Sequence, residues 1–116
     1  MLIEFRDNSL FTHIVVGRSR KEFDALIDTG SVKTGIPIED CQELGLRMSG
    51  TERTSGLYGE DYIPLFDATI QIENRQFDIQ IAGLPLNIAI LGIDLLRYYR
   101  ININWISNPK IARAEY

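Results

Sequence analysis

Thiol and imidazole are almost missing from this chain: one cysteine, Cys41, and one histidine, His13, among 116 residues. A single cysteine excludes an internal disulfide and makes a reducing compartment the simpler setting, so a cytoplasmic location is expected. One Cys with one His cannot build a structural zinc site, which takes four such ligands. No metal and no cofactor are expected. A Cys–His nucleophilic pair is formally available. However, Cys41 sits in Ile38-Glu39-Asp40-Cys41-Gln42-Glu43-Leu44, a short helical stretch whose acids disfavour a thiolate. His13 lies in the strand-like run 10–16 and reads as a solvated strand residue.

Long apolar runs are lacking too. The longest, residues 83–93, is interrupted by Pro85 and Asn87 and is too short to span a bilayer, so no membrane partner is expected. Residues 1–7 carry acids where a secretory leader needs an apolar core. Basic runs are absent: the 12 Lys and Arg residues are scattered, and 16 acids set the net charge at −4. Nothing there favours nucleic acid as the main partner. What the chain does have is 45% hydrophobic residues, enough for one core. Its length fits a single domain over 1–116.

Most of the chain reads as short strands. Residues 10–16 and 22–28 flank a polar, Gly-containing connection and predict a hairpin. A second hairpin is clearer. Ala68, Ile70 and Ile72 alternate with Thr69, Gln71 and Glu73, and Phe77, Ile79 and Ile81 alternate with Asp78 and Gln80 across a turn at 73–75. A short helix is expected from Pro37 to about Gly45, and a second over 94–100, with Asp94 at its start and arginines near its end, matching the helix dipole. Residues 101–105 and 110–116 return to strand-like alternation. Residues 49–61 hold Gly50, Gly56 and Gly59 among polar residues and predict a mobile hairpin with its tip at Gly56-Leu57-Tyr58-Gly59, the alternative being an ordinary surface loop. Each half of the chain runs hairpin, apolar strand, glycine turn, short helix. That order implies two similar half-units around one core.

The chemistry concentrates in Ala25-Leu26-Ile27-Asp28-Thr29-Gly30-Ser31. A carboxylate leaving a buried strand onto a tight glycine turn is costly unless it is hydrogen-bonded or used. The ordinary alternative is an Asp–Gly turn that merely ends a strand, with Asp28 bonding its own backbone. A pair of carboxyls can hydrolyse a peptide bond, one taking a proton from water and the other giving one to the substrate. Two such groups held close share a proton, and their titrations split. This chain has one plausible catalytic acid, so the second must come from another copy across a two-fold axis.

Taken with Ala89-Ile90-Leu91-Gly92-Ile93-Asp94-Leu95-Leu96, the Asp28 segment resembles the retropepsin-like aspartic proteases. That family pairs an apolar-apolar-Asp-Thr-Gly-Ser/Ala loop with a later apolar-apolar-Gly segment that opens a helix, and places a glycine-rich flap hairpin between them. The resemblance covers roughly residues 10 to 100. It implies a mostly β, closed acid-protease barrel with one or two short helices, acting as a homodimer. It also implies an aspartic endopeptidase whose peptide or protein substrate lies extended between flap and floor. Asp28 would be the catalytic acid/base, holding the attacking water with its symmetry mate. Thr29 would bond across the interface, and the Gly30 N–H would help hold Asp28. The Ser31 hydroxyl would bond the outer oxygen of Asp28. Leu91 and Gly92 would let the second-half strand pass tightly behind the loop. In the flap, Tyr58 would lie over the substrate and Gly56 and Gly59 would permit opening.

The chain departs from the family pattern at Ile93, where viral members usually carry an arginine that joins an ionic network near the dimer interface. That network is expected to be absent. Asp94, at a helix start, is expected to serve the helix dipole rather than act as a second catalytic acid. Two other functions compete with this reading. A catalytically silent dimeric peptide-binding or scaffold domain would be marked by loss of Asp28 or its hydroxyl neighbours, and all are present. An aspartate-based phosphotransfer enzyme needs a parallel α/β sheet and magnesium ligands on several loops, for which the chain is too short.

Overall fold

Period-two alternation builds most of this molecule. In the computed structural model, which describes residues 1–56 and 59–116 (backbone alone over 54–56 and 59–61), the fold is mostly β with two short helices. Strands β1 (Ile3–Arg6), β2 (Ser9–Val16) and β3 (Lys21–Ile27) form an antiparallel meander. On β2, Ile14 and Val16 are fully buried while His13 faces outward beside Glu22. The β2–β3 turn carries positive φ at Gly17 (78°) and Arg20 (57°).

Strands β5 (Arg47–Gly56), β6 (Gly59–Ile72) and β7 (Arg75–Leu84) form a second meander. Ala68, Ile70 and Ile72 point into the core from β6, and Ile81 from β7. Each of these fully buried isoleucines contributes roughly 1.5–3 kcal/mol over an exposed one.

Between the meanders lie β4 (Gly35–Pro37) and β8 (Ala89–Leu91), each running into a helix, α1 (Ile38–Glu43) or α2 (Ile93–Leu96). The end of α1 is set by Gly45 at φ 65°, where the N–H groups of Gly45 and Leu46 bond the carbonyls of Gln42 and Cys41. This is the double closure that glycine allows after a last helical turn. Helix α2 is shorter than the expected 94–100. After Leu96 the chain tightens into three-residue turns, Tyr98 N–H to Leu95 O and Tyr99 N–H to Leu96 O, and at Arg100 becomes a strand. The aromatic and β-branched residues of Tyr98-Tyr99-Arg100-Ile101-Asn102-Ile103 favour strand over helix.

The eight-stranded sheet has the order β1-β2-β3-β8-β4-β7-β6-β5, and a further β2–β6 pairing closes six of its strands into a ring. Exchanging β1 with β5, β2 with β6, β3 with β7 and β4 with β8 reproduces the same order read backwards. The register obeys the exchange: β3 pairs β8 in parallel, β4 pairs β7 in parallel, and β4 meets β8 antiparallel at the centre. The two similar half-units expected from the order of elements are therefore present in the sheet itself.

Strands β9 (Arg100–Asn104) and β10 (Ile111–Glu115) form a separate two-stranded sheet. It sits against the first meander through an edge-to-face contact of Phe5 with Trp105 and a bond from Lys110 Nζ to Asn8 Oδ1.

Candidate active site

The parallel pairing of β3 with β8 delivers Asp28 to the surface. Ala25, Leu26 and Ile27 align with Ala89, Ile90 and Leu91, and the Asp28 N–H continues the ladder by donating to the buried Leu91 carbonyl at 3.1 Å. One residue later the strand stops. The Gly30 N–H donates to Asp28 Oδ1 at 2.9 Å, and the Ser31 N–H donates to the Asp28 carbonyl at 3.2 Å. A Cβ on Gly30 would stand 3.2 Å from that same carboxylate oxygen, so the missing side chain leaves the approach free. Asp28 is half-buried, while Thr29 and Gly30 are exposed.

Ser31 does not reach Asp28. Its hydroxyl donates to the Lys33 carbonyl at 2.8 Å, and Gly30 supplies the bond to Asp28 instead. A serine hydroxyl finds a backbone partner two residues away more easily than a side chain behind it in a tight turn.

A second layer holds this loop. Thr34 is fully buried. Its N–H donates to both oxygens of Asp94 at 3.0 Å, its hydroxyl donates to Asp94 Oδ1 at 2.7 Å, and the same hydroxyl accepts the Gly92 N–H at 3.1 Å. The Ile93 and Asp94 N–H groups donate to the carbonyls of Ser31 and Val32 at 2.8 and 3.1 Å. Gly92 makes this closeness possible. A Cβ there would lie 2.7 Å from the Lys33 carbonyl carbon and 2.8 Å from the carbonyl oxygens of Lys33 and Ser31. Asp94 lies in the first turn of α2, where the helix dipole was expected to hold it, and its carboxylate is also engaged by Thr34. No periodic or local signal marks this contact, because its partners are 60 positions apart in sequence.

A groove of about 270 Å³ runs beside the loop. Gly30, Ser31, Val32 and Lys33 form one wall, Glu52, Arg53 and Ile63 of the β5–β6 hairpin the other, and Ala82 and Leu84 its end. Leu26 shares the Asp28 face of β3 by the two-residue period and aligns with Ile90 of β8; both are half-buried. Sequence reading did not find this alignment, because apolar residues on paired strands look alike whichever face they take. Gly56 and Gly59 pair with each other at the end of the β5–β6 hairpin, and Tyr58 lies outside the described residues. A larger depression of about 560 Å³, between the β2–β3 turn, the end of α1 and the β6–β7 hairpin, shares no residue with the Asp28 loop.

A thiol mechanism has no support. Burial, with the charge of Asp40 as a lesser cause, pushes the Cys41 thiol up to about 11, so it stays protonated at neutral pH. His13 stands exposed on β2 between Glu22 and Asp24.

No family sequence model and no curated protein sequence matches the chain. Solved structures do. A retropepsin-like aspartic protease from Rickettsia conorii superposes with a TM-score of 0.68 at 18% identity, over 97% of this chain and 95% of that one. EIAV protease, solved in complex with the inhibitor HBY-793, gives a TM-score of 0.66 at 19% identity, over 82% of this chain and 91% of that one. Simian foamy virus (mac) protease gives 0.61 at 15% identity, over 76% and 92%. The fold of this chain is that of the retropepsin-like aspartic proteases.

Proposed function

We propose that the chain is an aspartic endopeptidase acting as a homodimer, with a water activated between two Asp28 carboxyls, one from each subunit. The observation that carries this reading is the placement of Asp28. It stands at the open end of a loop braced from behind, beside a groove, in a fold shared with aspartic proteases. Each chain supplies one such carboxyl, because Asp94, the other acid of the two motifs, is committed to Thr34.

In the proposed reaction an extended peptide lies between the β5–β6 hairpin and the Leu26–Ile90 floor. One Asp28, ionised, takes a proton from water as the water oxygen attacks the scissile carbonyl carbon. The other, protonated, gives its proton to the carbonyl oxygen. Collapse of the resulting diol breaks the C–N bond, and a carboxyl proton moves to the leaving amine. Thr29, exposed beside Asp28, is in this reading the residue that bonds the partner's loop and fixes the two carboxyls relative to each other.

A catalytically silent peptide-binding dimer is the competing reading, and one assay separates them. Purified protein is incubated with an unfolded protein pool between acid and neutral pH. Cleavage is expected, and Asp28→Asn should abolish it while leaving sedimentation and melting nearly unchanged. Absence of cleavage by the parent protein at every pH, or survival of cleavage in the variant, would overturn the proposal.

A further inference from the structure

Two exposed β-branched residues flank the single carboxylate. Val32 is 74% exposed and Ile93 is 40% exposed, although Leu91, Leu95 and Leu96 around Ile93 are buried. The backbone brings the pair together: Ile93 N–H donates to Ser31 O and Asp94 N–H donates to Val32 O. Asp28 is one hydrogen bond away, through its carbonyl and the Ser31 N–H. Val32 and Ile93 therefore belong to the rim of the surface that presents Asp28.

We propose that Val32 and Ile93 form an apolar seam against a second copy of this chain, and that the dimer completing the active centre is consequently held without ionic contacts at that rim. The inference rests on the homodimer reading and adds what the contact is made of. Its argument is geometric. Two carboxyls that share a proton stand about 3 Å apart. Loops brought that close must touch along their exposed rims, and here Val32 and Ile93 stand on that rim in both copies. The neighbouring acid is turned away from it, because the Asp94 carboxylate accepts its hydrogen bonds from Thr34. Isolated exposed apolar residues need no explanation, but two side by side at the edge of an incomplete site call for a cover.

The test is sedimentation of the whole chain across salt concentrations. Between about 0.05 and about 1 M NaCl, screening shortens from above 10 Å to about 3 Å, and ionic contacts weaken while apolar ones do not. The dimer dissociation constant is expected to change by less than about twofold or to tighten. The double variant V32E/I93E sets like charges against each other across the two-fold axis. It should weaken the dimer by more than about a hundredfold. I93L should behave as the parent. A V32E/I93E protein that dimerises like the parent, or a parent dimer that dissociates in high salt, would sink the seam and leave the dyad standing. A parent chain that cleaves peptide as a monomer would instead sink the dyad.

Discussion

Thr34 gathers four hydrogen bonds within the loop's supporting layer, and it is among the best-buried polar residues of the chain. Replacing Asp94 with leucine strips the acceptor from both its N–H and its hydroxyl. A buried donor left without a partner costs about 1–3 kcal/mol, so the melting temperature should fall by roughly 5–10 °C. The Asp28 loop would also lose its brace, and kcat should drop roughly tenfold to a hundredfold with a smaller change in KM. Asp94→Asn, which keeps an acceptor oxygen, should fall in between; steady-state kinetics and thermal melts read both effects. Cys41 provides an independent check at the same scale. Its thiol is held protonated up to about 11, against an ordinary value near 9. Between those values the unfolded chain gives up a proton that the folded chain keeps, so the thiol's contribution to stability declines as pH rises through the interval. Melts between pH 8 and 10.5 should show this loss, and Cys41→Ala should diminish it.

At the scale of elements, the second half-unit passes behind the Asp28 loop with no room to spare. Gly92→Ala would drive a methyl group into the Lys33 and Ser31 carbonyls, all of them backbone. Overpacking of this kind costs typically 1–3 kcal/mol, and the displacement falls on the segment carrying Asp28. Lower activity at a temperature where the variant is still folded, measured by circular dichroism beside the cleavage assay, is the expected result. These elements also show what could be read from residue order. Alternation at 68–72 and 77–81 forecast β6 and β7, because one face of each strand must be apolar. The glycine after Leu44 forecast the end of α1. The end of α2 was not legible, since Leu95 through Arg100 suits a helix until the strand-forming run after it is weighed. The Thr34–Asp94 contact and the Leu26–Ile90 pair were not legible either. Both arise from strand pairing between distant segments, and local pattern carries no register. The resemblance assigns the Ser31 hydroxyl to Asp28, and a competing carbonyl at Lys33 takes it.

At the scale of the molecule, the backward-reading strand order gives each half-unit one loop and one helix, and only the first loop carries a carboxylate of the Asp-Thr-Gly type. If two copies share the work, the rate should depend on pH as a bell with two limbs belonging to the pair. A kcat/KM profile with a single ionisation would argue against shared-proton chemistry. The same topology has a consequence for how the protein is made. The Asp28 amide is held by Leu91, and the loop behind it is held by Gly92, Ile93 and Asp94. A nascent polypeptide still emerging from the ribosome therefore carries its aspartate long before it has anything to hold it in place. Translation delivers the loop before its brace, and the two are joined only once residues 91–94 have been made, 60 positions after Thr34 in the case of Asp94.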